Sequence, residues 1–153
     1  MAVYTEVSDE DLEAFVADYD IGTVLSFKGI AEGVENTNYL MQTEQGQFIL
    51  TLYEKRVLPQ DLPYFLNLME FLAEAGIPCP TPLHAEDGKA LRELCGRPAA
   101  IVTFLNGMWP KKIHATHCAE LGMALARLHT AGAGCDMSRP NGLTREAWRP
   151  LFN

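Results

Sequence analysis

Three strand-like segments follow one another between residues 24 and 53, and this succession constrains the fold more than any other feature of the chain. They span residues 24–30, 37–43 and 47–53, and the third is rich in Phe, Ile, Leu, Thr and Tyr, residue types that favour strands. The sequence Glu44-Gln45-Gly46 between the second and third segments predicts a hairpin turn. The segments therefore predict a mainly antiparallel sheet.

Helical patterns lie on both sides of these strands. Ser8 is placed to cap a first helix, and apolar residues then recur at helical spacing through residues 12–19. A longer helix is predicted over residues 61–75, because Gly76 suits the left-handed position after a helix end and Pro78 stops continuation.

The remaining segments complete the order of elements. Residues 83–85 and 90–93 flank an Asp-Gly turn and predict a further hairpin. The nearly continuous apolar run 99–105 predicts a buried strand, and residues 116–131 predict another helix. The whole order predicts an α+β fold, with an antiparallel sheet of about five strands plus a helix, followed by a helical region.

The end of the chain carries apolar side chains without a predicted partner. Trp148 and Phe152 belong to a last helical pattern that begins near Thr144. Exposure of two large aromatic side chains is costly. We therefore expect the chain to end inside a longer, truncated domain.

Composition excludes several classes of function. Of 153 residues, 48% are hydrophobic and 21% charged, which suits a packed core. The net charge of −8 argues against nucleic acid as a partner, since such binding needs clustered Lys and Arg. No apolar run reaches membrane-spanning length and the N-terminus does not resemble a signal peptide, so no membrane association is expected. Four scattered cysteines without metal-like spacing predict free thiols and a cytoplasmic location.

No metal site is predicted in this chain. His114 and His117 are three residues apart near a helix start, but no third ligand has sensible spacing. They are interpreted as surface or capping groups.

A glycine-containing connection between the first two strands is the first candidate site. Gly29 and Gly33 would let backbone N–H groups approach a phosphate, and Asn36 and Asn38 add amide donors. The connection returns to a strand, whereas Walker A loops and dinucleotide fingerprints lead into a helix. An ordinary turn with two glycines remains the alternative.

Two further candidates are weaker. Thr51 occupies an inward place on the third strand, and Lys55 lies at its end; a buried strand followed by solvated charges is the alternative. Phe104 and Leu105 precede Asn106-Gly107 and could present backbone groups to a purine. A plain core strand ending in an Asn-Gly turn is the alternative there.

Taken in order, these segments resemble the aminoglycoside/choline-type phosphotransferases, a protein-kinase-like superfamily. Five segments carry the resemblance, in the order nucleotide loop, third strand, Gly-x-Pro connection, strand entering the hinge and first large helix of the second lobe: residues 29–39, 49–54, 76–83, 96–107 and 120–129. Within the superfamily, residues 29–36, 52–56, 61–65 and 139–141 are most similar to the bacterial homoserine kinase branch.

The resemblance implies a kinase-like N-lobe over residues 1–105 that binds nucleotide. Residues 106–153 would form the hinge and the beginning of a truncated helical C-lobe. The implied reaction is transfer of the γ-phosphoryl group of ATP, with Mg²⁺, to the side-chain hydroxyl of L-homoserine in threonine biosynthesis. The family's catalytic Asp lies in a His-Gly-Asp motif that this sequence lacks. The catalytic Asp and the metal ligands are therefore expected beyond Asn153, and the chain alone is expected to be inactive.

The resemblance also implies a set of nucleotide-binding residues. They are Gly29, Gly33, Asn36, Asn38, Thr51, Lys55, Phe104 and Leu105. Thr51 stands where the family usually has a basic residue on the third strand, so Lys55 or Arg56 would serve phosphate instead. The usual acidic partner is also replaced, which leaves Glu54, Asp61 or Glu70 as substitutes.

Two alternatives remain open at this point. One is a non-catalytic nucleotide-binding or regulatory module. The other is a phosphotransferase for a different small hydroxyl acceptor, such as an aminoglycoside or choline. The sequence does not fix the oligomeric state.

Overall fold

Five strands form one antiparallel sheet in the order β1-β2-β3-β5-β4. The computed structural model describes residues 3–31, 35–54, 57–142 and 144–148. The strands are β1 (Val24–Gly29), β2 (Thr37–Thr43), β3 (Gly46–Leu52), β4 (Arg92–Leu94) and β5 (Arg97–Thr103). The predicted antiparallel sheet of about five strands is confirmed.

The strand register determines which side chains share a face of the sheet. β2 and β3 pair without interruption from Thr37↔Leu52 to Thr43↔Gly46. Thr51 on β3 is also level with Ala100 on β5. Because side chains alternate along a strand, Asn38, Thr51 and Ala100 form one row on one face, and their neighbours point to the opposite face.

The first helix covers one face of the sheet. Helix α1 (Asp9–Val16) begins where predicted, with the Ser8 hydroxyl accepting from the Asp11 N–H at 3.1 Å. Its apolar side chains join those of the strands in one buried cluster, which consists of Leu12, Phe15, Val16, Tyr19, Ile21, Tyr39, Met41, Leu50, Leu52, Ala85, Leu94, Ala99 and Ile101. We call this side of the sheet the core face.

The second helix begins after a 3-10 turn and ends where the sequence predicts. Helix α2 (Leu62–Glu74) follows the turn Pro59–Asp61. Gly76 has φ +79, and its N–H donates to the Ala73 carbonyl at 2.9 Å. The chain then runs to the edge of β5, where the Leu83 N–H donates to the Ile101 carbonyl at 2.9 Å.

The predicted hairpin between residues 83–85 and 90–93 is wrong. The turn at Asp87-Gly88 exists, with the Gly88 N–H donating to the Ala85 carbonyl, but its two flanks pair with β5 instead of forming a ladder with each other. The real hairpin joins β4 to β5 through Cys95 and Gly96, whose φ angles are +51 and +70. Two consecutive positive φ angles are typical of a type I′ turn, which matches the twist of the strands.

A helical region follows the sheet. It contains α3 (Ala115–Gly132) and the short α4 (Arg145–Trp148). Leu121 on α3 is 61% exposed, and within the described ranges α3 has no buried side chain. A helix of sufficient length and apolarity to cross a membrane does not occur in the part that the structure describes. The division of the chain at residue 105 stays a prediction.

The alternation of the faces predicts unequal effects of two neighbouring substitutions. Leu50 is fully buried on the core face, whereas Ile49 is half-buried on the other face. We expect Leu50→Ala to lower the free energy of unfolding by about 2–5 kcal/mol, through lost transfer energy and a cavity. Ile49→Ala, the matched control, should cost less in the same urea denaturation series. Equal losses would contradict the assigned register.

The turn between β4 and β5 generates a stabilising prediction. Cys95 is exposed and holds a left-handed backbone, which costs L residues other than Asn or Asp about 1–2 kcal/mol. Cys95→Asn is expected to raise the free energy of unfolding by up to about 1 kcal/mol, because Asn-Gly is the preferred pair in this turn. Thermal denaturation measures the change. Gly96→Ala serves as the opposite control and should destabilise, since φ +70 at Gly96 disfavours a Cβ.

Candidate functional site

The face of the sheet turned away from α1 carries a polar pair that the sequence singled out. The Thr51 hydroxyl donates to Asn38 Oδ1 across β3 and β2 at 2.8 Å. Both residues are half-buried. Because the amide oxygen accepts this bond, the amide nitrogen of Asn38 remains a donor, and the described residues provide it with no acceptor.

The next row of side chains on this face, two residues further along β2 from Asn38, is apolar. Leu40, Ile49 and Val102 are in register on β2, β3 and β5. Lys28 on β1 pairs with Leu40 and is exposed at the edge of the same face. Leu40 and Ile49 are half-buried and Val102 is buried, so this surface is accessible over β2 and β3 and covered over β5. It combines apolar side chains with a few polar groups at one end, which is the usual composition of a small-molecule site. We call it the open face.

Asn36 and Gly29 lie where the β1–β2 connection leaves β1 and enters β2. We call these paired ends, residues 29–30 and 36–38, the stem of the connection. Asn36 Oδ1 accepts from the Glu54 N–H at 3.4 Å, which ties the start of β2 to the end of β3. A Cβ placed on Gly29 would lie 2.7 Å from Val3 Cγ2. Packing on the core face therefore explains the glycine at this position. Gly33 and Lys55 lie outside the described residues.

Phe104 and Leu105 lie at the opposite end of β3 from Thr51. The Phe104 N–H donates to the Gln47 carbonyl at 3.2 Å, so β5 continues its pairing one residue past its end. Leu105 is 46% exposed. The Phe104 N–H is already occupied, which leaves the Phe104 carbonyl and the Leu105 peptide groups as candidates for a purine.

The three carboxylates considered as acidic partners each bind a different group. Asp61 pairs with Arg139 at 2.7 Å, and Glu70 pairs with His84. Hydrogen bonds to the Gly88 carbonyl and to Glu70 raise the pKa of His84, because they favour the protonated ring. None of these carboxylates has a described contact with Thr51.

Glu54 is the most enclosed of the three carboxylates. Its side chain is 9% exposed, and its Oε1 accepts from the hydroxyls of Thr5 at 2.7 Å and Thr37 at 2.8 Å. Its Oε2 lies 3.1 Å from Arg97 Nε. A buried charge needs a partner and hydrogen bonds to be tolerated. Glu54 therefore has a structural role, and the sequence did not single out Thr5, Thr37 or Arg97.

The described residues do not fit a metal site. Within those ranges, no three His, Cys, Asp or Glu side chains are grouped closely enough to hold a metal ion. The His114 N–H donates to His117 Nδ1 at 3.1 Å at the start of α3, so the predicted capping role is confirmed. No catalytic step can be assigned to a metal held by these residues.

Comparison with known proteins agrees with this fold. The family model of the phosphotransferase enzyme family matches residues 26–153. A solved spectinomycin phosphotransferase, in complex with ADP and spectinomycin, superposes with a TM-score of 0.65 at 14% identity and covers 97% of this chain and 47% of its own. This similarity confirms the predicted α+β, kinase-like fold.

Two curated homoserine kinases have much higher sequence similarity. The protein from Paramagnetospirillum magneticum is 67% identical over 152 residues, which are 99% of this chain and 47% of that protein. The protein from Bradyrhizobium diazoefficiens is 59% identical over 153 residues, with 100% and 47% covered. The chain spans about half the length of these relatives. Because the family model covers well over half of the sequence, the chain belongs to the phosphotransferase enzyme family.

Proposed function

We propose that this chain forms the nucleotide-binding part of a homoserine kinase. Such an enzyme transfers the γ-phosphoryl group of ATP to the side-chain hydroxyl of L-homoserine. The observation that carries the proposal is the 67% identity to a homoserine kinase over 99% of the chain. A location in the cytoplasm is part of the proposal, and it is supported by the four unpaired cysteines.

The open face has the length and polarity that ATP requires. Phe104 is level with Gln47, and Thr51 lies four residues further along β3. At roughly 3.3 Å per residue, about 13 Å separates the two ends, on the scale of an extended nucleotide. In this orientation the purine contacts the backbone of Phe104 and Leu105, and the phosphates lie near Asn38.

Near Asn38, where the phosphates are proposed to lie, the described residues offer neutral hydrogen-bond donors. The Asn38 amide nitrogen donates to a phosphate oxygen, and Thr51 keeps the amide in the orientation that allows it. Thr51 thus acts as a positioning residue in the place where the family usually has a cation. Asn36, Gly33 and Lys55 complete the proposed phosphate contacts.

The chemistry itself is assigned to the rest of the protein. The described residues do not fit a Mg²⁺ site, and none of the three enclosed or paired carboxylates is free to accept the proton of a hydroxyl. We therefore place the catalytic carboxylate and the Mg²⁺ ligands in the part of the relatives' length that this chain does not span.

Binding of ATP to the chain tests the nucleotide site. We expect Asn38→Ala to weaken ATP binding about tenfold or more in titration calorimetry, since a hydrogen bond to a charged group contributes about 1.5–3 kcal/mol. Adenosine, which lacks phosphate, should bind the variant and the parent chain equally. Gln42→Ala, on the same face of β2, is the matched control and should leave both affinities unchanged. An equal loss for adenosine would remove Asn38 from the phosphate contacts.

Phosphoryl transfer tests the enzyme class. The chain alone is expected to produce no ADP from ATP and L-homoserine. A chimera in which this chain replaces the matching 47% of the P. magneticum protein should phosphorylate L-homoserine, and the same chimera should be tested with choline and spectinomycin. A folded chimera that binds ATP but transfers no phosphoryl group to L-homoserine would refute the proposed function.

A further inference from the structure

The N-terminal segment, residues 3–7, follows the sheet on its core face. Val3, Thr5 and Val7 are half-buried, whereas Tyr4 and Glu6 are exposed. The chain bends at Thr5, so that the consecutive N–H groups of Tyr4 and Thr5 both reach the hydroxyl of Thr37. The segment precedes α1 and is separate from the open face.

Three contacts of the N-terminal segment are made with the end of β1 and the start of β2. Val3 fills the space that a Cβ on Gly29 would occupy, 2.7 Å from Val3 Cγ2. Thr37, the first residue of β2, is fully buried, and its hydroxyl oxygen accepts from the N–H groups of Tyr4 at 2.9 Å and Thr5 at 3.2 Å. These positions are the two ends of the stem that closes the β1–β2 connection.

A second set of contacts adds the end of β3. The Thr5 and Thr37 hydroxyls both donate to Glu54 Oε1, and the Glu54 N–H donates to Asn36 Oδ1. The Tyr39 hydroxyl donates to the Thr5 carbonyl at 2.9 Å. Glu54 Oε1 receives both hydroxyls, so the loss of either one removes half of its donors and loosens the attachment of the N-terminal segment to the end of β3.

The opposite end of the same strands is held by contacts in which the N-terminal segment takes no described part. There the Thr23 N–H donates to Glu44 Oε2 at 3.0 Å, and Gln45 Nε2 donates to Asp20 Oδ1 at 3.2 Å. Thr43 is buried on the same face of β2 as Thr37, but its hydroxyl accepts from the Gln45 N–H at 3.2 Å, within the β2–β3 turn. The N-terminal segment therefore acts on one end of the sheet only, and that end carries Asn38.

We propose that residues 3–7 are a positioning element that holds the β1–β2 stem, and with it the Asn38 amide, in the geometry that binds the phosphates of a nucleotide. The inference rests on the proposed nucleotide site of the open face. Asn38 directly follows Thr37, so a displacement of Thr37 on the core face moves Asn38 on the open face. Thr5 and Thr37 touch no ligand and act through the backbone of β2.

The experiment compares three Thr→Val variants, which remove a hydroxyl and keep the shape. Thr5→Val and Thr37→Val each remove a donor to Glu54, whereas Thr43→Val is the matched control at the far end of β2. The first readout is hydrogen exchange of the Ile30 N–H, which bonds to the Asn38 carbonyl at 2.8 Å across the stem. The second is the affinity for ATP and for adenosine, measured by calorimetry.

The expected result separates positioning from general destabilisation. Thr5→Val and Thr37→Val should speed Ile30 exchange about tenfold and weaken ATP binding about three- to tenfold, without an effect on adenosine. Thr5→Ser should restore both values because it keeps the hydroxyl. Thr43→Val should leave both unchanged even where it lowers the overall stability equally.

Two outcomes would overturn the inference. One is an unchanged Ile30 exchange rate in Thr5→Val, a mild variant that remains informative if Thr37→Val does not fold. The other is an equal effect of Thr43→Val, which would show a loss of stability without positioning. A parent chain that binds no ATP would refute the proposed nucleotide site instead, and the Ile30 exchange rates would still decide whether the segment orders the stem.

Discussion

The buried carboxylate of Glu54 is the interaction on which this end of the sheet depends. It lies just past the end of β3, accepts hydrogen bonds from the hydroxyls of Thr5 and of Thr37 on β2, and forms an ion pair with Arg97 at the start of β5. The Glu54 side chain is 9% exposed, so these protein groups take the place of water around its carboxylate. One side chain therefore fixes the relative positions of the N-terminal segment and three strands.

The alternation of side chains divides the functions of the sheet between its two faces. Thr37 and Asn38 are neighbours on β2, yet Thr37 is fully buried on the core face and Asn38 forms its bond with Thr51 on the open face. A rigid peptide plane separates their two Cα atoms. The proposed influence of the core face on the open face therefore has to cross only one peptide unit of β2.

Local patterns predicted the elements well and the contacts poorly. The limits of β2 agree with the prediction residue for residue, and Gly76 ends α2 as expected, because strand composition and the left-handed glycine are local signals. The hairpin was misplaced because an Asp-Gly pair is a stronger local signal than Cys95-Gly96. The Asn38–Thr51 pair depends on register, and the Thr5–Thr37 contact joins residues 32 positions apart. Neither contact produces a periodic pattern from which a single sequence could predict it. The packing of Gly29 against Val3 could not be predicted either, because the two residues are far apart in the sequence.

A neutral phosphate donor, the role proposed for Asn38, would make this order more important than a cation would. The attraction between a lysine ammonium and a phosphate is a charge interaction that falls slowly with distance. An amide binds through one directed hydrogen bond, which weakens steeply when its angle departs from linearity. A site that relies on Asn38 therefore gains affinity mainly when the amide is already oriented before binding. In the proposed site, Thr51 would supply that orientation from the open face and residues 3–7 would supply it from the core face. On this proposal, one physical requirement, the orientation of the Asn38 amide, would account both for Thr51 on the open face and for the polar contacts of Thr5, Thr37 and Glu54 on the core face.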